Sequence, residues 1–223
     1  MRAVLLDFNG TMFFDSSLHS EAWSKIYREL HPDASDELPM DLFCGPVNEV
    51  ILQGIAPWLT PEENRQFSEH KEAVYRSLCY SQKDNLHLVS GIELFMRYLQ
   101  EHDIPYGLAS ASIKSNIDFY FEFFGLDRWF KKEDVVYDDG TYPHKGAMHL
   151  EAARRLGVDI SECLVVEDSP SAVSHAKSIG AGCIVALGNT ATADKLLSLG
   201  ADHYVKDFNG FDYSWLERSI PRT

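Results

Sequence analysis

The feature that most constrains the fold is a regular alternation of helical patterns and short apolar runs after Gly91. Continuous apolar runs of four or five residues are typical of parallel strands buried on both faces. The alternating segments are residues 92–101, 106–109, 115–124, 146–156, 163–167, 171–178 and 183–187. Because helices alternate with strands, the sequence predicts an α/β fold with a doubly wound, Rossmann-like parallel-sheet core.

The earlier part of the chain has a different pattern. Residues 2–8 form an apolar run that reaches an acidic residue and a turn, which predicts a further buried strand. From residue 16 to residue 82 only helical patterns occur, at 20–30, 47–55 and 61–80. The sequence therefore predicts a small all-helical insert, 16–82, after the first strand of a core formed by 1–15 and 83–223.

Composition excludes some classes of partner. The chain has 20 Lys and Arg against 34 Asp and Glu, a formal net charge of -14 that repels polyanions, so nucleic acid is excluded as a general partner. The four cysteines lack paired spacing, which favours reduced thiols. No apolar run has membrane-spanning length and no leader pattern precedes the first strand, so we expect a cytoplasmic protein without a membrane partner. A monomer is the default expectation.

Acidic and hydroxyl residues follow the predicted strands. Asp7, Ser110 and Asp168 each lie at a predicted strand end, and open α/β sheets bind ligands at the carboxyl ends of their strands. Asp7 and the pair Glu167-Asp168 would form a hard-oxygen site of the kind that Mg²⁺ prefers. The alternative is that residues 167–170 only cap the following helix.

Two further segments offer groups that bind phosphate. Residues 109–112, Ala-Ser-Ala-Ser, are predicted to end a strand and open into a helix near Lys114. A hydroxyl and free backbone N–H groups at a helix start would form a phosphate cradle. Lys145 precedes another predicted helix and would place a cation against a phosphoryl group. Helix capping by Ser110 or Ser112, and a solvated surface lysine, remain the alternatives.

As a set, these motifs resemble those of the haloacid dehalogenase-like hydrolase superfamily over nearly the whole chain. In chain order they are Leu6-Asp7-Phe8-Asn9-Gly10-Thr11, Leu108-Ala109-Ser110-Ala111-Ser112, Lys145 and Val165-Val166-Glu167-Asp168-Ser169. The position of the insert is similar to that in the small helical-cap group, which includes beta-phosphoglucomutase and related sugar phosphatases. The resemblance implies that 1–15 and 83–223 are the catalytic core and that 16–82 is the cap.

The resemblance also implies a nucleophile and a metal site. Asp7 would attack phosphorus and become an aspartyl phosphate. A magnesium ion would be held by Asp7, Asp168 and the backbone carbonyl of Asn9, and Glu167 would support it from close by.

A second implied set of residues would contact the substrate, a small phosphorylated metabolite. Ser110, the N–H of Ala111 and Lys145 would bind the phosphoryl oxygens. In the cap, His19 and Lys71 fall where beta-phosphoglucomutase has its hinge histidine and a cap lysine, so both would touch substrate.

The chain departs from the family pattern at three positions. Asn9 stands where the family usually has a second aspartate that acts as general acid and base, and an amide cannot exchange that proton. Asn48 stands where beta-phosphoglucomutase has an arginine that binds a second phosphate, which makes a mutase less favoured than a phosphatase. Lys145 lies about two residues later than in the common form of its motif.

The sequence therefore predicts a magnesium-dependent phosphohydrolase that acts on a small phosphomonoester, with a sugar phosphate as one candidate, and whose activity Asn9 impairs. Three alternatives stay open at this stage. The first is a beta-phosphoglucomutase-like phosphotransferase. The second is a protein that binds a phosphate ligand without hydrolysing it. The third is that Asn9 was introduced to disable the site.

Overall fold

The computed structural model describes residues 1–33, 48–188 and 191–217. The chain divides into two compact units, Asp15–Leu86 and a second unit formed by Met1–Phe14 with His87–Thr223. Cys44 and the predicted start of a helix at residue 47 lie outside the described residues.

The unit Asp15–Leu86 is helical throughout its described residues, with α1 Ser16–Leu30, α2 Asn48–Ile55 and α3 Pro61–Ser81. Helix α3 begins with a capping box, in which the Thr60 side chain accepts from the Glu63 N–H and Glu63 accepts from the Thr60 N–H. Proline at the first helical position adds to this start signal. The core of the unit contains Trp23, Ile26, Ile51, Leu52, Ile55 and Ala56.

The second unit contains a six-stranded sheet whose strand pairs are all parallel among the described residues. The strands are β1 Ala3–Leu6, β2 Tyr106–Ile113, β3 Val136–Asp138, β4 Cys163–Glu167, β5 Cys183–Leu187 and β6 His203–Val205. Their order is β3-β2-β1-β4-β5-β6, which reverses direction at β1. Every residue of β1, β4 and β5 is buried, as expected for strands covered on both faces.

In the described part of this unit, five α-helices follow the strands or connect them: α4 Ile92–Glu101, α5 Lys114–Phe124, α6 Lys145–Arg155, α7 Pro170–Ser178 and α8 Ala193–Ser198. The apolar side of α6, with Met148, Ala152 and Ala153, joins side chains of the central strands in one core. The predicted α/β fold with a doubly wound parallel sheet is confirmed.

The predicted end of the second strand was wrong. Strand β2 continues four residues beyond Ala109 because Ser110 and Ile113 still pair with Tyr137 and Asp138 of β3, with an irregular register between them. Helix α5 follows directly at Lys114, one residue before its predicted start, and its N-cap residue, Ile113, provides no side-chain hydrogen bond. Capping by Ser110 or Ser112 is excluded.

Candidate active site

Three buried carboxylates meet at the carboxyl edge of the sheet. Asp7 directly follows β1, Glu167 ends β4, and Asp168 comes next. One oxygen from each of Asp7, Glu167 and Asp168 can be chosen so that all three lie within 4.8 Å of one another. The residues are only 6%, 1% and 4% exposed, respectively, so water screens their charges poorly.

The strand register explains this convergence. β1 and β4 are adjacent and parallel, with Leu6 opposite Val166. The next residues along the two strands, Asp7 and Glu167, therefore reach the same edge at the same level. The N–H of Asp7 also donates to the carbonyl of Val166 at 3.2 Å, which ties the end of β1 to β4.

Gly10 forms the turn against this cluster. Its φ is +75°, a backbone conformation that residues with a Cβ rarely adopt. A Cβ at this position would lie 2.1 Å from Oδ2 of Asp168. The turn after Asp7 thus needs glycine both for its backbone angle and for its close approach to a carboxylate.

Lys145 supplies a cation to the cluster. Its Nζ donates to Oδ1 of Asp7 in a very short contact and lies 3.4 Å from Oε1 of Glu167. The side chain is only 10% exposed, which excludes the solvated surface lysine. The lysine belongs to the first turn of α6, and the ring of His144 caps this helix by accepting from the Ala147 N–H.

In the described part of the chain, the cluster contains three carboxyl groups and only one lysine, so their charges do not cancel. Burial raises the pKa of Asp7 to about 7, with Glu167 adding to the rise and Lys145 opposing it. Burial acts against ionisation of Glu167 as well, but Lys145 and His149 hold the pKa of Glu167 below its usual range. Burial likewise disfavours the charged lysine, yet Asp7 and Glu167 raise the pKa of Lys145. A buried set of hard oxygen donors with excess negative charge fits a magnesium ion.

The helix-capping alternative applies to one residue of the segment 167–170. The Ser169 side chain accepts from the Ala172 N–H at 3.2 Å and so caps α7. Glu167 and Asp168 belong instead to the carboxylate cluster.

The Asn9 side chain is held by two hydroxyl groups of the same unit. Its amide Nδ2 donates to the Tyr120 hydroxyl at 2.8 Å, and the Ser112 hydroxyl donates to its Oδ1 at 2.7 Å. The Tyr120 ring is fully buried and stacks on Phe8 with ring centroids 4.1 Å apart. Sequence reasoning missed this role of Ser112 and missed Tyr120 altogether, because no local motif marks a tyrosine in the middle of α5.

Ser110 and Ala111 lie on the strand next to β1, where Leu108 is opposite Leu6. The Ser110 side chain is fully buried, and its Oγ accepts from the Ser112 N–H at 3.3 Å. Ala111 is exposed. Helix α5 begins at Lys114, three residues after Ala111 and next to its predicted start. Binding of phosphate by Ser110 and the Ala111 N–H stays a prediction.

The chain can be compared with known proteins. A family model described as haloacid dehalogenase-like hydrolase matches residues 1–180 of the chain. The chain belongs to the haloacid dehalogenase-like hydrolase family. This hydrolase is also 25% identical over 211 residues to validoxylamine A 7'-phosphate phosphatase of Streptomyces hygroscopicus subsp. limoneus, a match that covers 92% of this chain and 93% of that protein.

Solved structures are similar to this hydrolase over nearly their whole length. A HAD hydrolase of family IA, variant 3, from Entamoeba histolytica HM-1:IMSS has a TM-score of 0.89 at 28% identity, with 97% of each chain covered. Beta-phosphoglucomutase from Clostridium difficile has a TM-score of 0.76 at 19% identity, with 97% of this chain and 96% of that chain covered. At 19% identity, the similarity to beta-phosphoglucomutase shows only that the two proteins share a fold.

The hydrolase's helical unit contains a separate network of buried and half-buried polar side chains. Lys71 is 2% exposed, and its Nζ lies 2.7 Å from Nδ1 of His19 and 2.8 Å from Oε1 of Glu72. Nε2 of His19 lies 3.2 Å from Oδ2 of Asp15. The Asn48 amide donates to Oε1 of Glu72 at 2.7 Å. Contact of His19 and Lys71 with substrate stays a prediction.

Among the residues that the structure describes, this hydrolase has no helix with both the length and the apolar character needed to cross a bilayer.

Proposed function

We propose that this hydrolase is a magnesium-dependent phosphatase of small phosphomonoesters that works through an aspartyl phosphate on Asp7. The observation that carries the proposal is the contact of the Asp7 carboxylate with Lys145 in a buried cluster that also contains Glu167 and Asp168. A nucleophile, a fixed cation and a place for a divalent ion are the parts that phosphoryl transfer requires.

In the proposed mechanism the Asp7 carboxylate forms a bond to phosphorus as the phosphorus–oxygen bond of the ester breaks, and the leaving oxygen takes a proton from solvent where it needs one. Water then attacks phosphorus, gives up a proton to solvent and breaks the bond to Asp7, which releases inorganic phosphate and restores the carboxylate. Lys145 would neutralise charge on the phosphoryl oxygens, and the Ser110 hydroxyl and the Ala111 N–H would position them.

The proposed metal ligands are Asp7, Asp168 and the backbone carbonyl of Asn9, with Glu167 in support. Bound there, Mg²⁺ would offset the negative charge of the phosphate and orient it. It would also favour the ionised form of Asp7, because a nearby cation lowers the pKa of a carboxyl group.

Asn9 determines which esters we expect to react. An asparagine cannot protonate a leaving alkoxide, and general acid–base catalysis typically contributes about 10²–10⁴-fold to the rate. Esters whose leaving group needs no proton, such as para-nitrophenyl phosphate, should therefore react, whereas sugar phosphates should react slowly. The name of the validoxylamine A 7'-phosphate phosphatase supports a small phosphorylated molecule as the substrate class.

Two alternatives are less well supported. A bisphosphate mutase would need a cation to bind the second phosphate, but at the corresponding position the Asn48 amide already donates to Glu72 at 2.7 Å. Asn9 is the one residue that favours a phosphate binder without turnover. The other groups that phosphoryl transfer requires, Asp7, Lys145 and the carboxylates of Glu167 and Asp168, are all present in the cluster.

The test is phosphate release from para-nitrophenyl phosphate and from a panel of sugar phosphates, with and without Mg²⁺. The variants are Asn9→Asp, which restores an acid, and Asp7→Asn, which removes the nucleophile. We expect magnesium-dependent cleavage of the activated ester by the unchanged chain. We also expect a gain of about 10²–10⁴-fold on sugar phosphates in Asn9→Asp and no activity in Asp7→Asn.

Two results would change the proposal. If neither the unchanged chain nor Asn9→Asp releases phosphate although both bind phosphate with Mg²⁺, the chain is a phosphate binder. If Asp7→Asn keeps full activity, the aspartyl phosphate is excluded. Peptide mass spectrometry of the active sample controls for deamidation of Asn9 before Gly10, which would create aspartate.

A further inference from the structure

A fully buried histidine contacts one carboxylate of the cluster. His149 is in α6, four residues after Lys145, so both side chains are on the same side of the helix. It is 0% exposed, and its Nε2 is 2.9 Å from Oε1 of Glu167. That same oxygen is 3.4 Å from Nζ of Lys145. Oε1 of Glu167 is therefore contacted by two nitrogen-bearing side chains of one helix.

Packing alone does not explain a histidine at this position. The neighbouring buried residues of α6, Met148, Ala152 and Ala153, are apolar and join the core. Within the described chain neither ring nitrogen of His149 has a well-aligned hydrogen bond, and neither does Oε1 of Glu167. Burying a polar ring costs free energy unless it interacts with another polar group, and the 2.9 Å contact with Glu167 is the interaction that this ring makes.

We propose that His149 is a positioning residue that directs the Glu167 carboxylate toward the metal site and Lys145. In this arrangement the Nε2 edge of the ring lies against Oε1 and restricts rotation of the carboxylate. Outer-shell partners of this kind typically affect metal affinity or activity by about 10–100-fold. The magnesium part of this inference rests on the proposed function.

The experiment compares two nearly isosteric variants, His149→Gln and His149→Met. Glutamine keeps an N–H group at the distance of Nε2, whereas methionine has a similar length and shape but no donor. Magnesium affinity is measured by isothermal titration calorimetry, and kcat and KM are measured with para-nitrophenyl phosphate. Urea unfolding without magnesium shows whether each variant is folded.

We expect His149→Gln to bind Mg²⁺ within a few-fold of the unchanged protein and His149→Met to bind it about 10–100-fold more weakly. The control is His203→Met on β6, which removes another histidine ring, one that stacks on Trp215 with ring centroids 4.1 Å apart. We expect the control to keep its magnesium affinity.

Equal magnesium affinity in the Gln and Met variants, whether at the unchanged or a reduced level, would overturn the role of His149. A loss of the same size in His203→Met would overturn it too, because the effect would not depend on the contact with Glu167. If the unchanged protein binds no magnesium and releases no phosphate, the proposed function itself fails. The two failures are therefore distinguishable.

Discussion

At the scale of single residues, Asp7 has the most unfavourable electrostatic environment in the cluster. Its pKa is raised from 3.8 to about 7, first by burial and then by Glu167, against the opposing effect of Lys145. Between these two pH values the folded chain holds a proton on Asp7 that the unfolded chain releases. The free energy of unfolding contributed by this group therefore falls as the pH rises from about 4 to about 7.

Replacement of Asp7 by asparagine should remove this pH dependence. In magnesium-free buffer we expect the stability of Asp7→Asn, measured relative to the unchanged protein by urea unfolding, to increase from pH 5 to pH 7. Added Mg²⁺ should stabilise the unchanged protein and not the variant. Asp127→Asn, a change at an exposed site, is the control. A stability difference that is the same at both pH values would contradict the raised pKa.

The sequence predicted part of the site at this scale. Asp7 and the pair Glu167-Asp168 could be expected to meet, because parallel strands bring their carboxyl ends to one edge. The contacts of Ser112 and Tyr120 with Asn9, and of His149 with Glu167, depend on how α5 and α6 pack on the sheet. Hydrophobic periodicity does not encode such packing, and the catalytic and ligand roles of all these residues stay predictions.

At the scale of elements, the turn after β1 couples backbone geometry to the carboxylates. In Gly10→Ala a methyl group would have to displace Asp168, whose Oδ2 is 2.1 Å from the Cβ position. We expect a loss of stability of about 1–3 kcal/mol and weaker magnesium binding. The matched control is Gly157→Ala, which has a similar φ of +69° but no atom within 4 Å of its Cβ position.

The control separates strain from displacement. If both alanine variants lose the same stability and both retain magnesium affinity, backbone strain alone explains the requirement for glycine at position 10. Calorimetric titration with Mg²⁺ and urea unfolding provide the two measurements.

The helical unit depends on a buried ion pair. Burial acts against ionisation of Glu72, but Lys71 and then His19 bring its pKa down to about 2. In Lys71→Met the Glu72 carboxylate would lose its lysine partner and keep the amide of Asn48, and breaking a buried pair typically costs about 3–5 kcal/mol. We expect a loss of this size in urea unfolding at pH 7, and partial recovery in the double variant Lys71→Met/Glu72→Met. No loss in the single variant would show that the pair does not stabilise the unit.

Short elements were the ones that the sequence did not predict. Strands β3 and β6 have three residues each, too few to show a periodic pattern, and α8 has six. The longer helices were predicted because amphipathic periodicity and caps coincide there, as in α3 with its Thr60–Glu63 capping box. Strand β2 is longer than predicted because it pairs with β3, and the local sequence does not indicate that interaction.

At the scale of the whole molecule, thiol exposure reports on global unfolding. Among the described residues three cysteines, Cys79, Cys163 and Cys183, are buried and form no disulfide. Burial raises the pKa of the Cys79 and Cys163 thiols to about 12, so little reactive thiolate forms at pH 8. We expect these three to react with Ellman's reagent only as fast as the protein unfolds, and at once in urea. Rapid labelling of Cys163 in native protein, identified by peptide mapping, would contradict this.

The position of β1 in the middle of the sheet has a consequence for synthesis. Ala3 pairs with Cys163, 163 - 3 = 160 positions later, and Val4 pairs with Tyr106. At about 5–20 residues per second, the ribosome needs roughly 10–30 s to make β4 after it has made β1. Until then β1 has at most one of its two neighbours, β2, so the strand that precedes Asp7 is completed late. Slow elongation or scarce chaperones should thus reduce the yield of soluble protein before they affect its catalytic constants.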